Sequence, residues 1–224
     1  MSVVAVITAR GGSKRIPRKN IKEFMGKPML SYAIEAALSS EIFDEVMVST
    51  DDLEISEIAK KYGAKVPFMR SEKTSNDFAT TADVLKEVKE EYKKRGKEFD
   101  TICCIYPCVP FLTGNILKEA YQTFKTSGKA SLTPVVKFSF PIQRAFKIEG
   151  GSLEYREPDN APKRSQDLEP MYHDVGMFYF FADEKLNLKG RAPYLMDERY
   201  IQDIDTEDDW RMAEMKYKIM HSEG

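Results

Sequence analysis

The chain has 224 residues, 42% of them hydrophobic and 31% charged, which is enough to bury the core of an ordinary globular protein. Its 34 basic and 36 acidic side chains nearly cancel, and this balance argues against a general nucleic-acid binder, whose surface carries a basic excess. No apolar run is long enough to span a membrane, and the N-terminal run lacks the preceding positive charge of a signal peptide. We therefore expect a cytoplasmic protein that binds neither nucleic acid nor a membrane, with Cys103, Cys104 and Cys108 as reduced thiols.

Strand-like and helix-like segments alternate through the first two-thirds of the chain. Short β-branched apolar runs predict strands at residues 2–8, 44–50, 65–69 and 100–107. Apolar residues at helical spacing predict helices at residues 28–40, 51–63, 80–96 and 113–128. Because such alternation implies right-handed crossovers, we predict a Rossmann-like α/β fold, a mainly parallel sheet with helices on both faces.

The pattern changes between residues 134 and 172, which are rich in proline and turn residues and show little helical spacing. We interpret this segment as an extension that protrudes from the sheet of a single domain spanning residues 1–224. A strand follows at residues 176–181, and a closing helix at 206–220 begins with Thr206 and Asp209 placed as a capping box.

The basic loop, residues 9–20 with the sequence ARGGSKRIPRKN, follows the first predicted strand directly. Gly11 and Gly12 allow the backbone to turn tightly and to bring its N–H groups close to a ligand. The loop contains five cations and no acidic residue, and it matches neither the Walker loop nor the G-x-G-x-x-G fingerprint. Ligands of parallel sheets bind beyond the carboxyl ends of the strands, so this position favours phosphate binding over a merely solvated basic loop.

A pair of aspartates, Asp203 and Asp205, precedes the closing helix and lies on one side of the chain if that segment is extended. Two converging carboxylates can hold a magnesium ion that bridges phosphates, because Mg²⁺ takes few protein ligands. The alternative is that both residues only place negative charge at a helix N-terminus, where it is favourable. Together with a phosphate-binding loop, the two carboxylates favour the magnesium site.

Three side chains in and beside the extension can donate hydrogen bonds with different geometries: Arg164, Gln166 and His173. They could recognise a second anionic substrate, or they could form a solvated surface. No serine or cysteine triad accompanies the histidine.

These motifs together resemble those of the CMP-sialic acid synthetases, the cytidylyltransferases that activate nine-carbon acidic sugars. The resemblance rests on ARGGSKRIPRKNI, GKPML, FDEVMVSTDD, VPFMR and DIDTE, and it covers nearly the whole chain. CCIYP, PFLTG, PIQRA and RSQDLEP most resemble the members of this family that use pseudaminic acid. The resemblance implies a nucleotidyltransferase-type fold and a reaction in which the sugar's anomeric hydroxyl attacks the α-phosphate of CTP and releases pyrophosphate.

The resemblance also implies roles for individual residues. Arg10, Lys19 and Asp205 would be catalytic, Asn20 and Arg70 would read the cytosine, and Mg²⁺ would be held by Asp203 and Asp205. The residues that would bind CTP are Ala9, Arg10, Gly11, Gly12, Ser13, Lys14, Lys19, Asn20, Arg70, Thr80 and Thr81. The residues that would bind the sugar are Tyr106, Arg144, Arg164, Gln166 and His173.

Two departures from the family fall where the sugar would bind. Tyr106 replaces a glutamine that is typical of sialate enzymes, and His173 replaces an arginine. Both favour a differently decorated nonulosonic acid, pseudaminic acid, over N-acetylneuraminate, legionaminate or Kdo, which stay as alternatives. The family's extension pairs two subunits, which implies a homodimer here. A non-catalytic nucleotide-sensing or RNA-binding protein is the alternative from another class.

Overall fold

The computed structural model describes residues 1–182 and 189–222. The strands are β1 (Val3–Thr8), β2 (Glu23–Phe24), β3 (Lys27–Pro28), β4 (Glu45–Ser49), β5 (Thr101–Ile105), β6 (Ser131–Lys137), β7 (Phe146–Glu149), β8 (Ser152–Tyr155), β9 (Tyr172–Asp174), β10 (Phe178–Phe181) and β11 (Ala192–Leu195). The helices are α1 (Met29–Ser39), α2 (Leu53–Lys61), α3 (Glu72–Ser75), α4 (Thr81–Lys94), α5 (Gly114–Ser127) and α6 (Glu207–His221).

The central sheet has the strand order β11-β6-β10-β5-β1-β4, and β9 also pairs with β6. β1 is parallel to both β4 and β5, and β11 is parallel to β6. β10 is antiparallel to both of its neighbours, because the chain returns from β6 through the extension rather than through a crossover helix. The prediction of a Rossmann-like, mainly parallel α/β sheet is confirmed.

Alternate side chains of β1 enter two separate cores. Val3, Ala5 and Ile7 are buried with residues of α1, α2 and α5 on one face. Val4 and Val6 are buried against α4 on the other face. Burial of each valine or isoleucine side chain contributes about 1.5–3 kcal/mol, so both faces of the strand hold it in the sheet. The expected helices on both faces are therefore present.

A third cluster attaches the closing helix to the outside of α1. The ring of Phe24 lies edge-on to those of Tyr32, Trp210 and Tyr217, at centroid distances of 5.6, 5.5 and 5.6 Å. This packing fixes the start of α6, and with it the segment that carries Asp203 and Asp205.

Side-chain caps fix the starts of the helices that border the carboxyl end of the sheet. Asp52 accepts a hydrogen bond from Ile55 N at 3.0 Å and caps α2. Thr80 caps α4, and Thr206 caps α6, each in a complete capping box. The capping box predicted at Thr206 and Asp209 is confirmed.

The prediction of a strand at residues 65–69 is wrong. Lys65 alone forms a bridge to β4, where Lys65 N donates to Val46 O and Val48 N donates to Lys65 O, both at 2.9 Å. Pro67 stands where the next N–H would have to join this ladder, and proline has none.

The extension begins later than predicted, because Pro134–Lys137 belong to β6. The chain leaves the sheet at Phe138 and rejoins it at Tyr172, where β9 pairs with β6. In between, β7 and β8 form a hairpin in which Gly150 and Gly151 make the turn with φ of +58° and +82°. Among the described residues no helix is long and apolar enough to cross a lipid bilayer.

Candidate active site

A cavity of about 500 Å³ lies beyond the carboxyl ends of β1 and β5. It gathers Lys19 and Asn20 of the basic loop with two aspartates of the segment before α6 and with Tyr106 and His173. The residues that line it are Lys19, Asn20, Tyr106, Pro107, Cys108, Val109, Pro110, Phe111, His173, Asp174, Val175, Gly176, Met177, Tyr200, Ile201, Gln202, Asp203, Ile204 and Asp205. Six of the predicted site residues thus meet in one cavity, although they lie far apart in the sequence.

The basic loop is held in shape by the buried side chain of Asn20. Asn20 Nδ2 donates to Arg10 O at 2.8 Å, and the Cys108 thiol donates to Asn20 Oδ1 at 3.3 Å. Burial raises the pKa of Cys108 to about 12, so the thiol keeps the proton that it donates. Asn20 therefore closes the loop, and its contact with a cytosine stays a prediction.

Gly11 is required by a close approach rather than by a left-handed backbone. A Cβ at this position would lie 2.8 Å from Asp52 Oδ2, closer than van der Waals contact allows. Gly11 N donates to Asp51 Oδ1 at 3.0 Å, and Ser13 N donates to Gly11 O at 3.1 Å. Gly12 has open space around it. The buried residue Ala9 donates from its N–H to Ser49 O and begins the loop at the sheet.

The cations at the start of the loop meet a carboxylate on the segment between α3 and α4. Arg10 Nη1 lies 2.9 Å from Asp77 Oδ1, and Lys14 pairs with the other oxygen of the same carboxylate. The side chains of Arg10, Lys14 and Asp77 are 38, 78 and 46% exposed. Such exposed pairs contribute about 0–1 kcal/mol, so an anionic ligand could replace Asp77 at little cost.

The cations at the end of the loop meet the segment before α6. Lys19 Nζ donates to Ile204 O at 2.6 Å and lies 3.6 Å from Asp205 Oδ1, while Arg15 Nη1 donates to Asp205 Oδ2 at 2.7 Å. Lys19 and Asp205 are thus neighbours, although 185 residues separate Lys19 from Ile204. Arg18 instead pairs with Asp52 and Glu54 and ties the loop to α2.

Asp203 and Asp205 both line the cavity, as a metal site requires. No group of three or more His, Cys, Asp or Glu side chains that could hold a metal is present within residues 1–182 and 189–222. Two carboxylates beside an open cavity fit Mg²⁺, which keeps several ligands for water and substrate phosphates. They do not fit a zinc site, which needs three or four protein ligands.

Arg70 is buried behind the start of the loop. Its Nε donates to Ser49 Oγ at 3.0 Å and its Nη2 donates to Ser49 O at 2.6 Å. Burial lowers the pKa of the Arg70 guanidinium. Arg70 does not line the cavity, and its contact with a cytosine stays a prediction.

Tyrosine hydroxyls connect α4 with the cavity. Thr81 Oγ1 lies 3.2 Å from the Tyr106 hydroxyl, and the Tyr106 ring lies edge-on to that of Tyr179, with centroids 5.7 Å apart. Burial raises the pKa of Tyr106, so its hydroxyl stays neutral. Thr80 is used as the cap of α4, which leaves Thr81 as the threonine that is joined to the cavity.

The predicted sugar-binding residues are divided between two places. Tyr106 and His173 line the cavity, and the His173 ring packs on Phe138 at a centroid distance of 4.8 Å. Three others lie on the extension and do not line the cavity of this chain: Arg144, Arg164 and Gln166. Arg164 pairs with Asp167 at 2.9 Å, whereas the buried Arg144 Nε has no partner among the described residues.

Sequence reasoning missed two acidic residues at this site. Asp77 pairs with the loop cations, and Asp174 lines the cavity beside His173. Asp174 could have been found, because it stands in the YHDVG motif next to a predicted sugar-binding residue. Asp77 carries no local signal, since its partners lie more than 60 residues earlier in the chain.

The chain is similar in sequence to cytidylyltransferases. The sequence profile of the family "Cytidylyltransferase" matches residues 4–217. A pseudaminic acid cytidylyltransferase from Campylobacter jejuni is 42% identical over 99% of this chain and 98% of its own length. A CMP-N,N'-diacetyllegionaminic acid synthase from Legionella pneumophila is 31% identical over 96% of this chain and 95% of its own.

The fold also matches a solved structure. CMP:2-keto-3-deoxy-manno-octonic acid synthetase complexed with CTP superposes with a TM-score of 0.71 over 100% of both chains, at 19% identity. The predicted nucleotidyltransferase-type fold and the prediction of a nucleotidyltransferase enzyme are confirmed. With its profile match and its relatives of similar length, the chain belongs to the cytidylyltransferase family.

Proposed function

We propose that this cytidylyltransferase joins CTP and the nine-carbon acid pseudaminic acid to give the CMP-sugar and pyrophosphate. The observation that carries the proposal is the cavity in which Lys19 of the basic loop meets Asp203 and Asp205. The 42% identity to a pseudaminic acid cytidylyltransferase over nearly the whole chain supports the choice of sugar. Tyr106 and His173, where sialate enzymes carry other residues, support the same choice.

In the proposed reaction the anomeric hydroxyl of the sugar attacks the α-phosphorus of CTP and gives up its proton to water. The bond from the α-phosphorus to the oxygen that bridges to the β-phosphorus breaks, and that oxygen leaves with the pyrophosphate. Negative charge then grows on the leaving pyrophosphate. Arg10 and Lys14 would bind the triphosphate after releasing Asp77, and the Lys19 ammonium would neutralise the developing charge. Catalysis of this kind depends on position and charge and needs no covalent intermediate on the protein.

The metal assignment is part of this proposal. Asp203 and Asp205 would hold Mg²⁺, and Asp205 would exchange its contacts with Arg15 and Lys19 for that role. When bound, Mg²⁺ neutralises phosphate charge and lowers the pKa of a coordinated hydroxyl. The released Arg15 and Lys19 would then face the phosphates, so binding of metal and of nucleotide would favour each other.

We also propose that two copies pair through the extension. Phe146, Ile148 and Leu153 share one face of the β7–β8 hairpin and are 55, 79 and 67% exposed. Three apolar side chains on one exposed face favour contact with a second chain. Pairing would also explain why Arg144, Arg164 and Gln166 lie outside the cavity of their own chain, since a partner's extension could bring them to it.

The proposed function is tested by pyrophosphate release. Purified protein is incubated with CTP and Mg²⁺ and, in parallel, with pseudaminate, N-acetylneuraminate, legionaminate or Kdo. We expect release with pseudaminate, loss of release when EDTA replaces Mg²⁺, and little release when ATP, GTP or UTP replaces CTP. Pyrophosphate release with another of the acids would support the proposed reaction but contradict the choice of pseudaminic acid as the sugar. If none of the four acids gives pyrophosphate release while CTP still binds, the result would favour a nucleotide sensor.

A further inference from the structure

The carboxylate of Asp174 has no counter-charge among the described residues. Asp174, the last residue of β9, lines the same cavity as Lys19 and Asp205. Its Oδ1 accepts from Gly176 N at 2.8 Å and from the Tyr179 hydroxyl at 2.9 Å. Neither a cation nor a hydrogen-bond donor among the described residues reaches its Oδ2.

The orientation of this carboxylate is fixed by the fold. Gly176, with φ of +68°, turns the chain so that its N–H reaches back to Asp174 Oδ1. Tyr179 lies on β10, and its ring packs edge-on against Tyr106, which also lines the cavity. Burial, followed by the charges of Tyr106 and Asp174, raises the pKa of the Tyr179 hydroxyl, so it remains a hydrogen-bond donor.

Asp174 is exposed in the free protein, where water solvates its charge, and a bound substrate would displace that water. The cavity must accept a nucleotide triphosphate and a sugar carboxylate, both anionic under the proposed function, and an unpaired carboxylate repels them. A carboxylate whose second oxygen is unused can accept a charge-assisted hydrogen bond from a neutral N–H or O–H group. Water supplies this donor in the free protein. Once a sugar fills the cavity the donor has to come from the substrate, because no described residue donates to Oδ2.

We propose that Asp174 is a specificity-determining residue, which accepts a hydrogen bond from an amide N–H of an acylamino substituent on the sugar acid. This assignment rests on the proposed function. An amide suits the site because Val175 and Met177, which also line the cavity, offer apolar surface beside the acceptor for the acyl group. A sugar that lacks a donor at this position leaves the carboxylate desolvated and unpaired, and such groups discriminate strongly between substrates.

Tyr179 acts through Asp174 as a positioning residue. Its hydroxyl occupies Oδ1 and so directs Oδ2 toward a ligand. Loss of that hydroxyl leaves the charge in place but frees its orientation. Loss of the Tyr179 hydroxyl should therefore raise the KM for the sugar, as loss of the Asp174 charge does, but by a smaller factor.

The test compares Asp174→Asn with wild type in steady-state kinetics on pseudaminate, legionaminate and N-acetylneuraminate. We expect the KM for pseudaminate to rise about 10- to 100-fold, the range of a charge-assisted hydrogen bond, with the KM for CTP changed less than about 2-fold. The ratio of kcat/KM between pseudaminate and the other acids should also fall. Asp208→Asn, the same change at an exposed position of α6, should alter none of these values.

Separate results would overturn the two proposals. If wild type releases no pyrophosphate with any of the acids, the proposed function fails. The specificity role of Asp174 fails if wild type turns over and Asp174→Asn keeps the KM for pseudaminate. It also fails if Asp174→Asn lowers kcat/KM equally for all three acids. Tyr179→Phe provides a second variant should Asp174→Asn not fold, and we expect a rise of about 3- to 10-fold in the same KM. An unchanged KM in Tyr179→Phe would then overturn the proposal.

Discussion

Two clusters of paired charges lie at opposite ends of the same strands and differ in burial. At the carboxyl end, the loop cluster joins Arg10 and Lys14 to Asp77, with side chains 38–78% exposed. At the amino end, the Glu45 cluster joins Glu45 to Lys65 and Lys97, and the Glu45 side chain is only 4% exposed.

The electrostatics of the Glu45 cluster indicate a stabilising role. Burial raises the pKa of Glu45, but hydrogen bonds from Lys97, Tyr92 and Lys65 outweigh this effect and lower the pKa to about 2. Lys65 Nζ lies 2.9 Å from Glu45 Oε2. A buried carboxylate with three donors holds its neighbours in place, whereas the exposed loop cluster can exchange its carboxylate for a ligand. The difference separates charges used for stability from those available for binding.

The largest effect is expected at the carboxyl end from Asp205→Asn. Turnover should fall about 10³-fold because one of the two proposed metal ligands is lost, while the thermal unfolding midpoint should stay close to that of wild type. The measurement is pyrophosphate release beside a thermal melt. Asp208→Asn, at an exposed position of α6, is the matched control and should keep full activity. Retained turnover in Asp205→Asn would refute the metal assignment.

Removal of the neighbouring cation should have the next largest effect. In Lys19→Ala we expect kcat to fall about 10²-fold, since a charge-assisted contact to the developing phosphate charge is removed. Single-turnover kinetics separates this step from CTP binding. Lys61→Ala, in the last turn of α2, is the control. An unchanged kcat would mean that the loop is basic for another reason.

At the amino end, Glu45→Gln should affect stability and not activity. Loss of the buried charge should lower the free energy of unfolding by about 2 kcal/mol, or the melting temperature by about 4–8 °C. Glu57→Gln, at an exposed position of α2, should change neither.

The same variant has a pH dependence whose sign follows from the lowered pKa of Glu45. A carboxylate with a pKa of about 2 in the folded state and about 4.5 when unfolded stabilises the fold fully above pH 4.5. This contribution is lost as the pH falls toward 2. Urea unfolding at pH 7 and pH 3 should therefore give a smaller difference between wild type and Glu45→Gln at the lower pH. An equal difference at both values would contradict the assigned charge.

The smallest effect is expected from Asp77→Asn. Freeing Arg10 and Lys14 should lower the KM for CTP about 2- to 5-fold, because the exposed pairs with Asp77 are weak, and kcat should be unchanged. The change should shrink at 0.5 M salt as the charges are screened. An increase in this KM would instead indicate that Asp77 itself helps to hold the nucleotide.

Most of the elements at the edge of the sheet beside the cavity could be predicted from patterns that are local in the sequence. Strands β1, β4 and β5 could be predicted because they are buried on both faces and so read as continuous apolar runs. The capping boxes at Thr80 and Thr206 are also local, because a capping box needs only two residues three positions apart. Residues 65–69 looked like another such run. Their failure to form a strand depended on Pro67, whose missing N–H matters only at the position where a neighbouring strand would need it.

The sequence by itself determined the α/β alternation, the cationic loop after the first strand and the two aspartates before the closing helix, because each is a local pattern. The tertiary structure alone decided that Lys19 meets Asp205, that Asp77 holds Arg10, and that Asp174 lines the cavity with no described residue bonded to its Oδ2. These contacts join segments that are remote in the chain, and their geometry depends on which strands pair and in which direction. Residue type limits what each side chain can do, and packing determines which partner it has.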